Sequence, residues 1–132
     1  LRARGFEILL AHPERSPMLH RDPAAVGRMV DAGVRTQVTA AALAGRYGRT
    51  VRRFATRLLD EGLVHVVASD AHDAHRRPPG LWAPLAETGL AERDIARLCR
   101  ENPAALLAGE PVPARARPRR RRGLMRLLPS RP

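Results

Sequence analysis

The feature that most constrains the fold is the alternation of short apolar runs with longer amphipathic segments. Residues 63–68 form an almost continuous apolar run, of the kind that a parallel sheet buries on both faces. Residues 6–11 form a second short run, and residues 34–38 alternate briefly between polar and apolar side chains. Strand, helix, strand, helix, strand and helix in this order predict an α/β fold with about three parallel strands and flanking helices.

The helices are predicted from apolar spacing and from their start and stop signals. Residues 24–32 follow Asp22 and Pro23 and end at Gly33, which is typical of a helix with both ends marked. Residues 50–61 carry one apolar stripe, with arginines on the other faces. Further helical pieces are predicted over residues 40–43, 81–87, 92–100 and 103–107, with Asn102 as a cap for the last and Trp82 in the core or on a hydrophobic flap.

Polar side chains follow the first and the third predicted strands directly. His12 and Arg15 come after the first strand, and Asp70, His72 and Arg77 come after the third. In barrels of alternating strands and helices, the loops at the carboxyl ends of the strands carry the active-site residues. We therefore expect these two clusters to meet at one site.

The residue types in the two clusters favour a metal and a phosphoryl group. Neutral imidazole and carboxylate are suitable ligands for zinc, manganese and iron, and an extended Asp70-Ala71-His72 segment would place both ligands on the same side. The planar guanidinium of arginine can hold two phosphate oxygens at once. A metal together with arginines predicts a phosphoryl substrate.

Three stretches carry a resemblance to a known family. They are ILLAHPER at residues 8–15, Gln37 with LAGRYG at residues 43–48, and GLVHVVASDAH at residues 62–72, followed by RPP. In order and spacing they resemble the bacterial tyrosine-protein phosphatases of the PHP superfamily, which control capsule and exopolysaccharide synthesis. The resemblance runs from about residue 5 to about residue 107 and corresponds to the C-terminal half of the family's domain.

The resemblance implies a fold, a metal centre and a substrate site. The fold would be a partial (β/α) barrel of the PHP type. His12, Asp70 and His72 match metal ligands of the family's multinuclear centre. Arg15 and Arg77 match the arginines that hold the substrate phosphate and act in catalysis. Glu14 is not assigned to the metal and is expected to be a supporting residue or a partner of Arg15.

The resemblance also implies a cofactor and partners. The cofactor would be manganese, or another divalent metal such as iron or zinc. The substrate would be a phosphotyrosine protein, the tyrosine autokinase of polysaccharide export. The family's N-terminal His-x-His is absent before His12, so the metal centre would be incomplete in this chain, and the missing N-terminal half of the barrel becomes an expected partner. The chain is therefore interpreted as a truncated form.

The charge divides the chain into two parts. Eight arginines and no acid lie within residues 114–132, so most of the net charge of +11 belongs to this tail. We expect a phosphatase part over residues 1–109 and a disordered basic tail over residues 110–132, with contact to anionic membranes as a possible role of the tail. The aromatic content of 3% argues against binding of single-stranded nucleic acid by the body. Without a membrane-spanning run, the expected location is cytoplasmic, at most peripheral to the inner membrane.

Other interpretations of the same residues remain open. The chain could be another PHP phosphoesterase, similar to histidinol phosphatases, or a non-catalytic remnant whose basic tail binds membrane or acidic partners. His65 is expected to be a packed residue of the third strand, not a ligand. The single Cys99 is expected to be a buried structural thiol, since one cysteine forms no internal disulfide.

Overall fold

A computed structural model describes residues 2–75 and 79–112. Its centre is a parallel sheet of three strands, β1 (Leu9–Ala11), β2 (Arg35–Thr39) and β3 (Val66–Ala68), in the spatial order β1-β2-β3. In this register Leu10 pairs with Thr36, and Val38 pairs with Val67. The predicted α/β class, the parallel direction and the flanking helices are confirmed.

The helices flank the sheet in the predicted order. An additional short helix, which the periodicity did not indicate, follows the first polar cluster, where Ser16 and Pro17 begin it. The helices are α1 (Pro17–Arg21), α2 (Ala24–Asp31), α3 (Ala40–Leu43), α4 (Arg49–Asp60), α5 (Trp82–Ala86), α6 (Glu92–Ala96) and α7 (Asn102–Leu107). A π-helical turn, Arg97–Glu101, joins α6 to α7 without a break.

The core lies between the sheet and the helices. Phe54 and Leu58, on the apolar stripe of helix α4, are buried. Val38 of β2 and Val67 of β3 are also buried and belong to the same core cluster. The core is completed from the remaining helices by Val26, Ala42, Leu43, Leu85, Ile95 and Leu98. Burial of this apolar surface is the main favourable term for the fold.

Strand β1 forms one edge of the sheet among the described residues. It is shorter than the predicted strand over residues 6–11, because pairing with β2 begins only near Ile8, whose carbonyl accepts from the Arg35 amide at 2.8 Å. Phe6 and Leu9 are 54% and 47% exposed. Apolar side chains on an open edge strand are a surface suited to further pairing.

The structure corrects the expected cap of α7 and narrows the expected position of Trp82. Asn102 does not cap α7, because its buried amide reaches back to the sheet and donates to the His65 carbonyl at 2.6 Å. Of the two positions expected for Trp82, the core is excluded, since Trp82 is 71% exposed at the start of α5, and the hydrophobic flap stays a prediction. Burial is decided by which helix face meets the sheet, which composition alone does not specify.

His65 is buried immediately before β3, as its apolar neighbours predicted. Its Nδ1 accepts a hydrogen bond from the Thr36 amide at 3.2 Å, so the ring is unprotonated at that nitrogen. Burial, assisted by the positive charge of Arg35, lowers the pKa of His65 to about 4. His65 is thus a neutral bridge between β2, β3 and α7.

The C-terminal end of the described chain remains attached to the domain. The Glu110 amide donates to the Ala105 carbonyl at 2.8 Å, and Val112 is buried. The tail predicted after residue 109 lies almost entirely outside the described residues, so the domain boundary stays a prediction.

Cys99 is half-buried and burial raises the pKa of its thiol. None of the described helices is both long and apolar enough to cross a membrane.

Candidate functional site

The loops that follow β1 and β3 meet at the carboxyl edge of the sheet. The Nη1 atom of Arg15 donates to Oδ2 of Asp70 at 2.8 Å, across 55 positions of sequence. The side chains of Arg15 and Asp70 are 34% and 15% exposed, so the pair is accessible from solvent without being fully solvated. The expectation that the two polar clusters share one site is therefore met for these two residues.

The backbone is strained where each loop leaves its strand. His12 has φ 38° and Asp70 has φ 55°, and they are the described residues other than glycine with positive φ. The left-handed region is costly for a residue with a Cβ atom and persists where the surrounding structure imposes it. The His12 amide is held by the Gln37 carbonyl at 2.8 Å. The turn at Asp70 also corrects the expected extended conformation of Asp70-Ala71-His72.

Tyr47 provides the second contact of the Arg15 guanidinium. The Cζ atom of Arg15 lies 5.0 Å from the centroid of the Tyr47 ring, within the range of a cation–π interaction. Tyr47 is half-buried against the core and lies in the turn between α3 and α4. Arg15 is thus fixed from two directions, by the aromatic ring and by the Asp70 carboxylate.

Sequence reasoning did not assign Tyr47 to the site. Tyr47 lies in the LAGRYG segment, which was identified only as part of the family resemblance. A single tyrosine in a glycine-containing turn does not by itself indicate a chemical role. The helix α3 and the turn after it bring the ring to Arg15, and this placement requires the tertiary fold. The resemblance was the one signal that could have pointed to it.

Glu14 attaches the first loop to the sheet. It is fully buried, and its Oε1 accepts from the backbone amide of Thr39 at 3.0 Å. Its Oε2 has no hydrogen-bond partner among the described residues. Burial raises the pKa of the Glu14 carboxyl, which the bond from Thr39 partly offsets. Of the two roles expected for Glu14, pairing with Arg15 is wrong, because Glu14 bonds to Thr39 while Arg15 bonds to Asp70; the role of a supporting residue stays a prediction.

The same loop is also held on its outer side. The Nε2–H of His20 donates to the carbonyl of Glu14 at 2.6 Å, and the His20 ring packs edge-on against Phe54 with centroids 4.8 Å apart. These contacts tie α1 and α4 to the turn that bears Arg15. The turn that bears Arg15 is therefore held by the buried bond between Glu14 and Thr39 and by the partly buried bond from His20.

The predicted metal ligands are only partly brought together. The Nδ1–H of His72 donates to the Asp70 carbonyl at 2.8 Å, which leaves Nε2 with its lone pair available, as in metal-bound histidines. The same Nδ1 is 3.9 Å from Oδ1 of Asp70. In residues 2–75 and 79–112, however, no group of three or more His, Cys, Asp or Glu side chains is arranged to hold a metal. The described residues do not complete a metal site, and the ligand roles of His12, Asp70 and His72 stay predictions.

Arg77 and Gln37 are two further residues of the stretches that carry the family resemblance. Arg77, the second predicted phosphate ligand, lies outside the described residues, so its role stays a prediction. Gln37 lies in the middle strand opposite Ala11 and Val66, and its Nε2 is buried without a hydrogen-bond partner in the part of the chain that is described. A buried amide donor of this kind is unusual in a folded protein.

The family follows from a comparison with known sequences. A family model described as "Capsular polysaccharide synthesis, CpsB/CapC" matches residues 1–108. The chain belongs to the CpsB/CapC family. The match covers both loops that meet at the Arg15–Asp70 pair, so the predicted resemblance is confirmed at the level of the family.

Relatives of known name share part of this sequence. The tyrosine-protein phosphatase YwqE of Bacillus subtilis (strain 168) is 36% identical over 77 residues, which are 58% of this chain and 30% of YwqE. The putative tyrosine-protein phosphatase CapC of Staphylococcus aureus is 32% identical over 78 residues, or 59% and 31% of the two chains. CpsB of Streptococcus pneumoniae is 32% identical over 80 residues, or 57% and 33%. The aligned part is about a third of each relative.

A solved structure supports the same relationship in three dimensions. It is described as belonging to "Crystal structures of YwqE from Bacillus subtilis and CpsB from Streptococcus pneumoniae, unique metal-dependent tyrosine phosphatases". It superimposes with a TM-score of 0.73 and 27% identity, covering 86% of this chain and 47% of the other. The fold of this CpsB/CapC chain therefore corresponds to about half of the known phosphatase structure, as the predicted partial barrel required.

Proposed function

We propose that this CpsB/CapC chain carries the phosphate-binding part of a metal-dependent protein-tyrosine phosphatase of capsule synthesis. The observation that carries the proposal is the Arg15–Asp70 pair, which joins the two motif loops at the carboxyl edge of the sheet. The named relatives, which are tyrosine-protein phosphatases, supply the reaction class. The substrate would be a phosphotyrosine side chain of a protein.

Arg15 is the residue that would hold the phosphate. Its guanidinium can present two N–H groups to two phosphate oxygens and stays charged at neutral pH. The Tyr47 ring would keep the guanidinium in place while the bond to Asp70 is exchanged for bonds to phosphate. Glu14 would keep the turn that carries Arg15 attached to β2. Arg77 is proposed as the second arginine on the phosphate, from its match to the family motif.

The ligand set of the metal site would have to be completed by residues beyond those described. Asp70 and His72 would supply two ligands and His12 a third, and the remainder would come from a segment equivalent to the part of the relatives that this chain does not match. When bound, a divalent metal supplies an activated water and neutralises phosphate charge. We propose manganese, with iron or zinc as alternatives.

A phosphatase assay of two proteins tests the proposal. The first is the chain itself, and the second is the chain joined to the unmatched portion of B. subtilis YwqE, each with manganese, iron or zinc. The substrates are a phosphotyrosine peptide, histidinol phosphate and single-stranded DNA, compared side by side. We expect hydrolysis of the phosphotyrosine peptide by the joined protein, lowered about a hundredfold or more by Arg15→Ala.

The control is Arg100→Ala, an exposed arginine at the far end of the π-helical turn, which should leave the rate unchanged. Preference for histidinol phosphate would move the assignment to another PHP phosphoesterase. A folded joined protein without activity on any of the three substrates would refute the proposal.

The cellular setting is also proposed. A tyrosine autokinase of polysaccharide export would place the substrate at the cytoplasmic face of the inner membrane, where the basic tail could contact anionic lipid. Binding of phosphatidylglycerol vesicles by the chain, lost on removal of residues 114–132, is the expected result. Vesicle binding that survives this removal would contradict the role of the tail.

A further inference from the structure

A basic groove lies on the surface between α2 and α4. It encloses about 1650 Å³ and is lined by Ala24, Gly27, Arg28 and Asp31 of α2 and by one face of α4. Arg49, Arg52 and Arg53 line its one end, and Asp60 and Glu61 line the other. The groove is separate from the ligands and arginines assigned above.

Helix α4 has positive side chains near its N-terminus and a negative side chain at its C-terminus, which is the unfavourable arrangement for a helix. Cations are stabilising near a helix C-terminus and anions near the N-terminus, because the peptide dipoles leave partial positive charge at the N-terminal end. Helix α4 begins with Arg49, carries Arg52 and Arg53 at its fourth and fifth positions, has no acidic residue in its first turn and ends at Asp60. Arg57 in the last turn is paired with Glu61. Such an arrangement weakens the isolated helix, so a role in binding would explain it better than a role in folding.

At the basic end of the groove, two arginines are not engaged in ion pairs with described residues. Arg57 pairs with Glu61 at 2.7 Å, and Arg28 pairs with Asp22 at 2.5 Å outside the groove. Arg49 and Arg53 are exposed and make no ion pair with any described residue. Exposed arginines near one another repel unless an anion lies between them.

The basic end is also close to the candidate phosphate site. Arg49 is two residues from Tyr47, whose ring contacts Arg15, and two residues of extended chain span at most about 7 Å. A peptide bound with its phosphate at Arg15 would therefore have neighbouring residues within reach of Arg49. The groove continues from there along α4.

We propose that this groove binds an anionic segment of the protein substrate, next to the phosphotyrosine held by Arg15. The occupant is a run of Asp and Glu side chains, whose negative charge complements the arginines that line the groove. The occupant is placed by charge complementarity with the Arg49–Arg53 end of α4. The proposal rests on the proposed function, because the segment belongs to the same substrate protein.

A binding experiment without catalysis tests the groove. Three fluorescein-labelled peptides of equal length carry four glutamates, four phosphotyrosines or four glutamines, and their affinities for the full chain are measured by fluorescence anisotropy. The variant Arg49→Gln/Arg53→Gln is compared with the control Arg4→Gln/Arg100→Gln, which removes the same charge from positions that do not line the groove. The arginine-rich tail is identical in all the proteins, and amide chemical shifts of α2 and α4 report binding at the groove itself.

We expect the glutamate peptide to bind and to shift amide signals of α2 and α4, while the glutamine peptide does not. No binding of the glutamate peptide, or binding of the phosphotyrosine peptide alone, would overturn the proposal. The groove variant should weaken binding of the glutamate peptide about fivefold, from the loss of two partly exposed ion pairs, and the control should weaken it less than about twofold. Equal weakening by both variants, or shifts confined to other residues, would overturn the proposal. Because the glutamate peptide contains no phosphate, these results stand whether or not the chain takes part in hydrolysis.

Discussion

Arg15 and Asp70 form an ion pair at 2.8 Å between two loops that are 55 residues apart in sequence. The pair connects the ends of the two outer strands across the middle strand of the sheet. It brings the proposed phosphate-binding arginine and a predicted metal ligand into direct contact.

If Arg15 binds phosphate, the Asp70 carboxylate should compete with phosphate for Arg15 when no metal is bound. Asp70→Asn removes this negative charge, so we expect affinity for inorganic phosphate in the presence of EDTA to rise about threefold or more, by release of a partly exposed pair. The measurement is a titration followed by ³¹P NMR. Arg15→Gln should abolish the response in both backgrounds, and unchanged affinity in Asp70→Asn would show that Arg15 is not the phosphate ligand.

Tyr47 should act through its ring and not through its hydroxyl. Tyr47→Phe keeps the aromatic face under Arg15 and should leave phosphate affinity unchanged. Tyr47→Leu keeps apolar volume but removes the cation–π interaction, and should weaken phosphate binding about threefold. Phosphate titration of both variants, together with their unfolding midpoints, checks this. Equal losses in the two variants would assign the effect to the hydroxyl instead.

Glu14 should contribute to stability through its bond to the Thr39 amide. Glu14→Ala leaves that buried amide without an acceptor and should lower the free energy of unfolding by about 1–3 kcal/mol. Glu14→Gln keeps a carbonyl oxygen in the same place and should lose less. Urea denaturation of the two variants measures the difference. If Glu14→Ala unfolds at the same urea concentration as Glu14→Gln, the bond is not a determinant of stability.

His65 should make the fold sensitive to acid. Its folded pKa of about 4 lies below the ordinary value of 6.5, so the unfolded chain binds the extra proton between these pH values. The stabilising contribution is present above about pH 6.5 and is lost as the pH falls through 4, by about 3 kcal/mol in total. Unfolding free energies measured from pH 7 to pH 4 should fall along this course.

The matched control for His65 is His75, which is exposed. His65→Asn should flatten the dependence of stability on pH, because the group that gains a proton on unfolding is gone. His75→Asn should leave the slope unchanged. A slope that persists in His65→Asn would mean that other groups cause the acid sensitivity.

The alternation of apolar runs and amphipathic segments was sufficient to predict the fold class and the order of its elements, except for the short helix α1. Residues 63–68 and the stripe of α4 are local patterns, and local periodicity reports directly which side chains face a core. The family was also predictable, because the HPER motif and the SDAH motif are each an unbroken stretch of sequence. These properties need no knowledge of how distant segments pack.

The site depended on tertiary structure. Arg15 was predicted as a phosphate ligand, but its contacts with Asp70 and Tyr47 arise only when β1, β2 and β3 align and the turn before α4 folds over the loop. Glu14 could not be assigned to Thr39, and Asn102 could not be assigned to the His65 carbonyl, for the same reason. Sequence patterns specify which faces are buried, whereas a hydrogen bond between distant residues depends on the packed positions of both, which only the folded chain determines.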